Sequence, residues 1–234
     1  RGPSGPARRA KSGETVNRPL VSVVVPAFNE ADVILDTLAR LVEHLETLAD
    51  RFRWEIVVVD DGSSDGTGRV AELAGARVVR HPVNRGKAAG MYSGMLATVS
   101  PVVCFLDADL LNITPQHLGA LCDPIVNGAA KSQLATFTGG RAATTLAQRI
   151  APYISGQRCL RRELLLDFTD WNCGFGIETA LNAYLAQRGI EQVIVPWHGA
   201  AQVMKEEKRG LLRGFHSRLG MYRDIMRSWA KSRR

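Results

Sequence analysis

Val57-Val58-Val59-Asp60-Asp61-Gly62-Ser63 and Val102-Val103-Cys104-Phe105-Leu106-Asp107-Ala108-Asp109 share one design, a short continuous apolar run that ends in two carboxylates. Unbroken β-branched and apolar runs of this length read as buried strands of a largely parallel sheet. In open α/β sheets ligands sit outside the carboxyl ends of such strands, so both pairs are expected to open into one crevice. Several carboxylates gathered at one place are costly unless cations or hydrogen bonds compensate them. A divalent metal ion carrying a diphosphate is the simplest resolution.

Outward from these runs, strand and helix signals alternate. Leu20–Pro26 reads as a first strand and Trp54–Val59 as a second, with a helix over Ala31–Leu48 between them. That helix sets Ile34, Leu38, Leu41, Leu45 and Leu48 on one face. Asp61 to Gly66 reads as a turn, with Ser64 or Asp65 capping a helix through Leu73. A third strand is expected over Ala76–Arg80, a helix over Arg85–Val99 and a fourth strand over Val102–Leu106. Beyond Pro115 the pattern is less regular: a strand over Lys131–Phe137, a helix or lid over Ala142–Tyr153, a helix over Glu178–Gln187 and a late strand over Gln192–Pro196. There are no internal repeats. The alternation predicts an α/β protein, a three-layer α/β/α sandwich around a mostly parallel mixed sheet.

The chain has 234 residues, 45% of them hydrophobic and 23% charged, an ordinary balance for a globular domain. It contains no apolar run of about 18 residues to cross a membrane, and no apolar h-region opens it. The four cysteines lack CxxC spacing, and three have apolar neighbours, so reduced, packed thiols in a cytoplasmic compartment are expected. The net charge of +7 sits at the ends. Residues 1–18, read as a disordered segment, hold five Lys/Arg and one acid, and residues 205–234 hold ten Lys/Arg and three acids. That leaves 15 basic against 19 acidic side chains for residues 19–204, which argues against a basic nucleic-acid groove in the fold. Over Leu211–Trp229, Leu211, Phe215, Leu219, Tyr222, Met226 and Trp229 recur at spacings of 3 and 4. Two readings follow: a basic amphipathic helix lying on the inner membrane surface, or a terminal helix packed on its own domain. Nothing in the pattern specifies an oligomeric state.

Four motifs in order, Val21-Ser22-Val23-Val24-Val25-Pro26-Ala27-Phe28-Asn29-Glu30, Asp60-Asp61-Gly62-Ser63-Ser64-Asp65, Asn84-Arg85-Gly86-Lys87 and Asp107-Ala108-Asp109, resemble glycosyltransferase family 2. Within it the chain is most similar to polyprenyl- and dolichyl-phosphate sugar synthases and to glucosyl-3-phosphoglycerate synthase-like enzymes. The resemblance implies a GT-A (Rossmann-like) fold and a hexose moved from a UDP- or GDP-sugar to a phosphate-bearing acceptor. It divides residues 19–204 into a nucleotide-sugar half (19–110) and an acceptor half (111–204). It also implies roles. Pro26, Ala27 and Glu30 line the nucleobase and ribose pocket and Asn29 shapes its loop. Asp61 contacts the base with Asp60 beside it, and Lys87 approaches the nucleotide. Asp107 and Asp109 form the DxD motif, with Asp109 on Mg²⁺ or Mn²⁺ and Asp107 on the sugar or ribose side. Hard oxygen ligands suit those ions. The stereochemical outcome stays open, because family 2 implies inversion and the phosphoglycerate-linked relatives retain configuration.

In the later half, Ser155-Gly156-Gln157-Arg158-Cys159-Leu160-Arg161-Arg162 resembles an acceptor loop, with Gly156, Gln157, Arg158 and Arg161 meeting a phosphate. The bland alternative is a capped surface helix with solvated arginines. Glu178, in Trp171-Asn172-Cys173-Gly174-Phe175-Gly176-Ile177-Glu178-Thr179, is a candidate general base for a hydroxyl acceptor. For a phosphate acceptor, already anionic near neutral pH, it orients instead. A carboxylate facing a helix dipole is its structural alternative. His198 after the last strand is the candidate further metal ligand, against a packed or solvated histidine. The segment from Gln202 to Lys205 is where some relatives carry that histidine, and here the residue is Gln202.

Two other readings compete. A sugar-phosphate nucleotidyltransferase calls for a Gly-rich loop after the first strand, where this chain has Pro-Ala-Phe-Asn-Glu, and a dinucleotide-binding enzyme calls for GxGxxG there. A non-catalytic nucleotide-sugar-binding or interaction module has no need of Lys87, Asp107 and Asp109 together.

Overall fold

The computed structural model describes residues 18–138, 155–171 and 176–202. The expected segments over 1–17, 142–153 and 205–234 lie outside them. Arg18, assigned to the N-terminal segment, belongs to the body: its guanidinium donates to Ala49 O and its carbonyl accepts from Arg53 Nε.

In chain order the elements are β1 (Leu20–Ala27), α1 (Ile34–Glu46), β2 (Arg53–Asp60), α2 (Thr67–Leu73), β3 (Arg77–Arg80), α3 (Lys87–Leu96), β4 (Val102–Phe105), β5 (Leu110–Leu111) and α4 (Pro115–Val126). They continue with β6 (Ser132–Thr138), β7 (Arg158–Arg161), α5 (Glu163–Leu166), α6 (Ile177–Gln187), β8 (Gln192–His198) and β9 (Ala201–Gln202). The main sheet runs β3-β2-β1-β4-β7-β6-β8, and β5 pairs with β9 apart from it. β7 is antiparallel to both of its neighbours, while the other pairings in this sheet are parallel. This is the expected mostly parallel mixed sheet.

Alternation along the strands builds two cores. Val21, Val23, Val25, Trp54, Ile56, Val58 and Cys104 face α1, α2 and α4. Val24, Val59, Val103, Phe105 and Leu160 face α3 and α6. The α1 face read from the sequence is the buried one, with Ile34, Leu38, Leu41 and Leu45 fully enclosed; Leu48 is also buried but lies past the helix end. α3 approaches the sheet through glycine. A Cβ on Gly94 would collide with Val24 Cγ1 and stand 3.1 Å from Val59 Cγ2, and one on Gly90 would stand 3.2 Å from Pro26 Cβ. This close seating brings the N-terminus of α3, and Lys87, to the end of β1.

Two elements differ from the expectation. α4 was not foreseen, although Thr114 accepts from His117 N at 3.3 Å as its cap and Pro115 opens it, a recognised helix-start pattern. The segment 158–161, read as an acceptor loop or surface helix, is an interior strand between β4 and β6.

Candidate functional site

β1, β2 and β4 lie side by side and parallel, with β1 central; Ala27 is level with Asp60, and β4 ends at Phe105, level with Val24, at the same edge of the sheet. Their loops form the crevice. The loops after β1 and β2 are laced together: Asn29, at φ 55, donates its N–H to Ser63 Oγ at 3.0 Å, and its Oδ1 accepts from Ser64 N at 3.0 Å. Glu30 N donates to Thr67 Oγ1 at 2.8 Å and Ala31 N to Asp65 Oδ2 at 3.0 Å. Asp65 also accepts from Thr67 N at 2.9 Å. It therefore serves the first helical N–H, although the cap position itself is Gly66. Burial works against ionising Asp65, but the Thr67 hydroxyl and the Ala31 and Thr67 N–H groups outweigh it and hold the pKa below its ordinary 3.8.

Asp60 and Asp61 are nearly buried and do different things. Asp60 Oδ1 accepts from Ser63 N at 3.0 Å and so shapes the turn. Asp61 holds the loop before α3: Oδ1 accepts from Arg85 N at 2.9 Å and Oδ2 from Gly86 N at 2.8 Å. His81 Nδ1 lies 2.6 Å from Asp61 Oδ1, and its Nε2 lies 2.8 Å from Ser93 Oγ. Gly62 is required beneath this loop, because its φ is +76 and a Cβ there would stand 2.6 Å from Asn84 N. His81 and Ser93 were not foreseen; a histidine directly after a strand whose neighbour ends in Asp-Asp was the signal.

The centre of the site is a compact set of opposite charges. Lys87 Nζ lies 2.8 Å from Asp107 Oδ1 and 2.9 Å from Glu178 Oε1. Gln157 Nε2 donates to Asp107 Oδ2 at 2.6 Å, while Asp107 N donates back to Gln157 Oε1 at 2.9 Å. Gln202 Nε2 donates to the same Oδ2. Gly156 leaves room for the Lys87–Asp107 pair: a Cβ there would overlap Lys87 Nζ and stand 2.8 and 2.9 Å from the Asp107 oxygens. Arg158 is 1% exposed; its Nη1 donates to Asn182 Oδ1 at 3.3 Å and its Nη2 to Ser155 O at 3.1 Å. Its Nε has no hydrogen-bond partner among the described residues. Burial pushes the Arg158 guanidinium down to about 10, against the opposing pull of Glu178 and Asp107. Burial also lowers Lys87, but the same two carboxylates outweigh it and hold the ammonium above 10.5.

The sequence-derived residues therefore divide. Pro26, Ala27, Asn29, Glu30, Asp60 and Asp61 form the wall of loops after β1 and β2. Lys87, Asp107, Gly156, Gln157, Arg158 and Glu178 come together. Asp109 lies in the turn between β4 and β5, two residues beyond Asp107. Arg161 is not brought to them: it pairs with Val102 at the opposite end of β4, with its guanidinium beside Gly128. His198 is exposed at the end of β8, with Nδ1 2.8 Å from Thr138 Oγ1. Among these late residues, Gln202 on β9 is the one that reaches Asp107.

In the cluster two cations, Lys87 and Arg158, face two carboxylates, Asp107 and Glu178, that hold them in place. Lys87 is the group here that suits a diphosphate; the carboxylates bound to it repel one unless a cation intervenes. Asp107 and Asp109 supply hard oxygens of the kind that hold Mg²⁺ or Mn²⁺. Both Asp107 oxygens are engaged, by Lys87, Gln157 and Gln202.

Comparison with known proteins agrees with this geometry. The family model described as Glycosyl transferase family 2 matches residues 22–183. Glucosyl-3-phosphoglycerate synthase from Mycobacterium tuberculosis is 29% identical over 212 residues, covering 76% of this chain and 62% of that protein. Dolichyl-phosphate beta-glucosyltransferase ALG5A from Trichomonas vaginalis is 36% identical over 97 residues, 38% of this chain and 30% of its own length. The chain thus spans about three fifths, or less, of these curated relatives. A crystal structure of the M. tuberculosis synthase with Mn²⁺, UDP-glucose and phosphoglyceric acid superposes with a TM-score of 0.63 at 27% identity, covering 87% of this chain and 80% of that one.

Proposed function

The chain belongs to glycosyltransferase family 2, and from that premise we propose that it transfers a hexose from a nucleoside-diphosphate sugar to a phosphate-bearing acceptor with Mg²⁺ or Mn²⁺. The observation that carries this reading is the Lys87–Asp107–Glu178 cluster, braced by Arg158, at the carboxyl ends of β1 and β4. UDP-glucose is bound in the superposed synthase structure and is the donor proposed here, ahead of a GDP-sugar.

The laced loops around Asn29 and Ser63 hold the nucleoside, and Asp61 keeps the segment before α3 in place so that Lys87 meets the diphosphate. Asp109 holds the metal ion, with Asp107 turned to the sugar by its contacts with Gln157 and Gln202. When bound, such an ion neutralises charge as the nucleoside diphosphate leaves. Arg158, whose Nε has no hydrogen-bond partner among the described residues, supplies positive charge to the acceptor phosphate. An ionised phosphate needs no base, and Glu178, paired with Lys87, orients the acceptor instead of deprotonating it. His198 is held by Thr138 and is proposed as a neighbour of the site, with Gln202 in contact with the DxD motif in its place.

Among the described residues no helix is long and apolar enough to cross a membrane. The acceptor is proposed to be a small phosphorylated acid such as phosphoglycerate or a polyprenyl phosphate, the latter met at a membrane surface through the basic segment 205–234. Calorimetric titration of UDP-glucose and GDP-mannose, each with and without Mn²⁺, tests the reading. Metal-dependent binding of UDP-glucose that is lost in Asp109→Asn supports it. Equal binding by wild type and Asp109→Asn, or no binding of either donor, refutes it.

A further inference from the structure

Cys104, Cys122 and Cys159 bring their sulfur atoms within 4.8 Å of one another, and each is fully buried. All three are free thiols. Three elements deliver them. Cys104 and Cys159 are direct partners across the antiparallel β4–β7 ladder. Arg162 N donates to Pro101 O, so 101 and 162 occupy a hydrogen-bonded position of that ladder. Counting along the alternation places 104 and 159 at a non-hydrogen-bonded one, where Cα atoms come within about 4.5 Å and side chains lie closest. Cys122 enters from α4, which packs on both strands. A single buried cysteine behaves as a small hydrophobe, but three convergent sulfurs are a donor set.

We propose that Cys104, Cys122 and Cys159 form a three-sulfur site for a soft monovalent cation of the Cu(I) or Ag(I) class. Ligand type, ligand count and charge all lead there. Sulfur donors select soft ions, whereas the oxygens around Asp109 select hard ones. Structural zinc takes four ligands, and no fourth Cys, His, Asp or Glu joins this group among the described residues. A site in a dry core must be close to neutral. A monovalent ion meets that condition by displacing one thiol proton: one S–H bond breaks, one metal–sulfur bond forms, the proton leaves to solvent and no electron moves. The other two sulfurs stay protonated and add weak neutral sulfur contacts to the ion. Cys104 lies three residues before Asp107 and Cys159 two residues after Gln157, so a bound ion ties together the two strands that carry the Asp107–Gln157 contact.

Ag(I), which is redox-inert under these conditions, is the probe. The freshly reduced full chain is titrated with Ag(I) and incubated until binding no longer changes, then desalted and analysed for retained silver. The expected result is one retained ion per chain with a metal–thiolate ultraviolet band. While the displaced thiol is protonated one proton is released per ion, so apparent affinity rises with pH up to that thiol's pKa and levels off above it. Cys173→Ser, which removes the fourth cysteine, keeps the ion. Cys122→Ala and Cys104→Ala, each checked for folding by thermal melting, lose it. No retained ion on the wild type, retention on a folded Cys122→Ala or Cys104→Ala, or loss on Cys173→Ser overturns the proposal.

Discussion

Replacing Lys87 by Met removes the one ammonium that Asp107 and Glu178 share. At contacts of 2.8 and 2.9 Å and an effective dielectric of about 20, each pairing is worth about 6 kcal/mol before desolvation. Taking the ions out of water offsets most of that, and removing one partner of a buried pair costs about 3–5 kcal/mol. Lys87 keeps 27% of its side-chain surface, so the low end applies, about 3 kcal/mol. For a chain of this size that is a fall in melting temperature of about 6–12 °C. Most of the loss is the cost of orphaned carboxylates, so removing one of them as well restores stability. Lys87→Met/Glu178→Gln is expected to be about 1–2 kcal/mol more stable than Lys87→Met alone, a coupling of the size found between contacting groups. The sign with pH follows from the raised Lys87 pKa. Its contribution is complete below 10.5 and disappears as pH rises through the higher folded value, so wild type and Lys87→Met converge only in strong alkali. Urea unfolding of the four proteins of the cycle measures this. Simple additivity of the two single substitutions would refute the shared-counter-ion account.

Gly156→Ala is expected to lower the melting temperature by about 3–6 °C, because the Lys87 chain end swings away and leaves Asp107 without its counter-ion while keeping Glu178. Transfer activity falls about 100-fold, because the displaced ammonium no longer meets Asp107; steady-state kinetics alongside a melt checks both. Gly94→Ala drives a methyl into Val24 and is expected to cost about 1–3 kcal/mol, read by urea unfolding, without altering donor affinity per folded molecule. Asp65→Asn is expected to flatten acid unfolding. The lowered pKa makes the carboxylate's contribution present above 3.8 and lost as pH falls through the folded value, a step the variant lacks in an acid titration followed by circular dichroism.

The first half of the chain was legible because its strands are written in one register of polarity. Val57–Val59 and Val102–Leu106 are buried on both faces, which makes them continuous apolar text, and the acids after them mark where the chain leaves the sheet. The later half hides its logic in tertiary partners. Arg158 reads as a surface residue, yet it is enclosed because Asn182, Glu178 and Asp107, 20 to 51 positions away, share its charge and hydrogen bonds. Arg161, three positions on, looked equivalent and lies at the other end of the strand. Gln157 is read as an acceptor contact from the sequence, and what the sequence does not show is that its amide matches both the backbone N–H and the carboxylate of Asp107. That match depends on the β4–β7 pairing, which local pattern does not reveal. α4, by contrast, carried its signal in Thr114-Pro115 and was readable from capping chemistry alone.

The central claim is group transfer to a phosphate-bearing acceptor, and one assay addresses it directly. The purified chain is incubated with radiolabelled UDP-glucose, Mn²⁺ and either 3-phosphoglycerate, polyprenyl phosphate or the unphosphorylated acid and alcohol, and products are separated by charge and hydrophobicity. The account predicts labelled product with one phosphorylated acceptor, none with its unphosphorylated counterpart and none after chelation of the metal. Equal labelling of phosphorylated and unphosphorylated acceptors, or no transfer beyond hydrolysis with any of them, would contradict it.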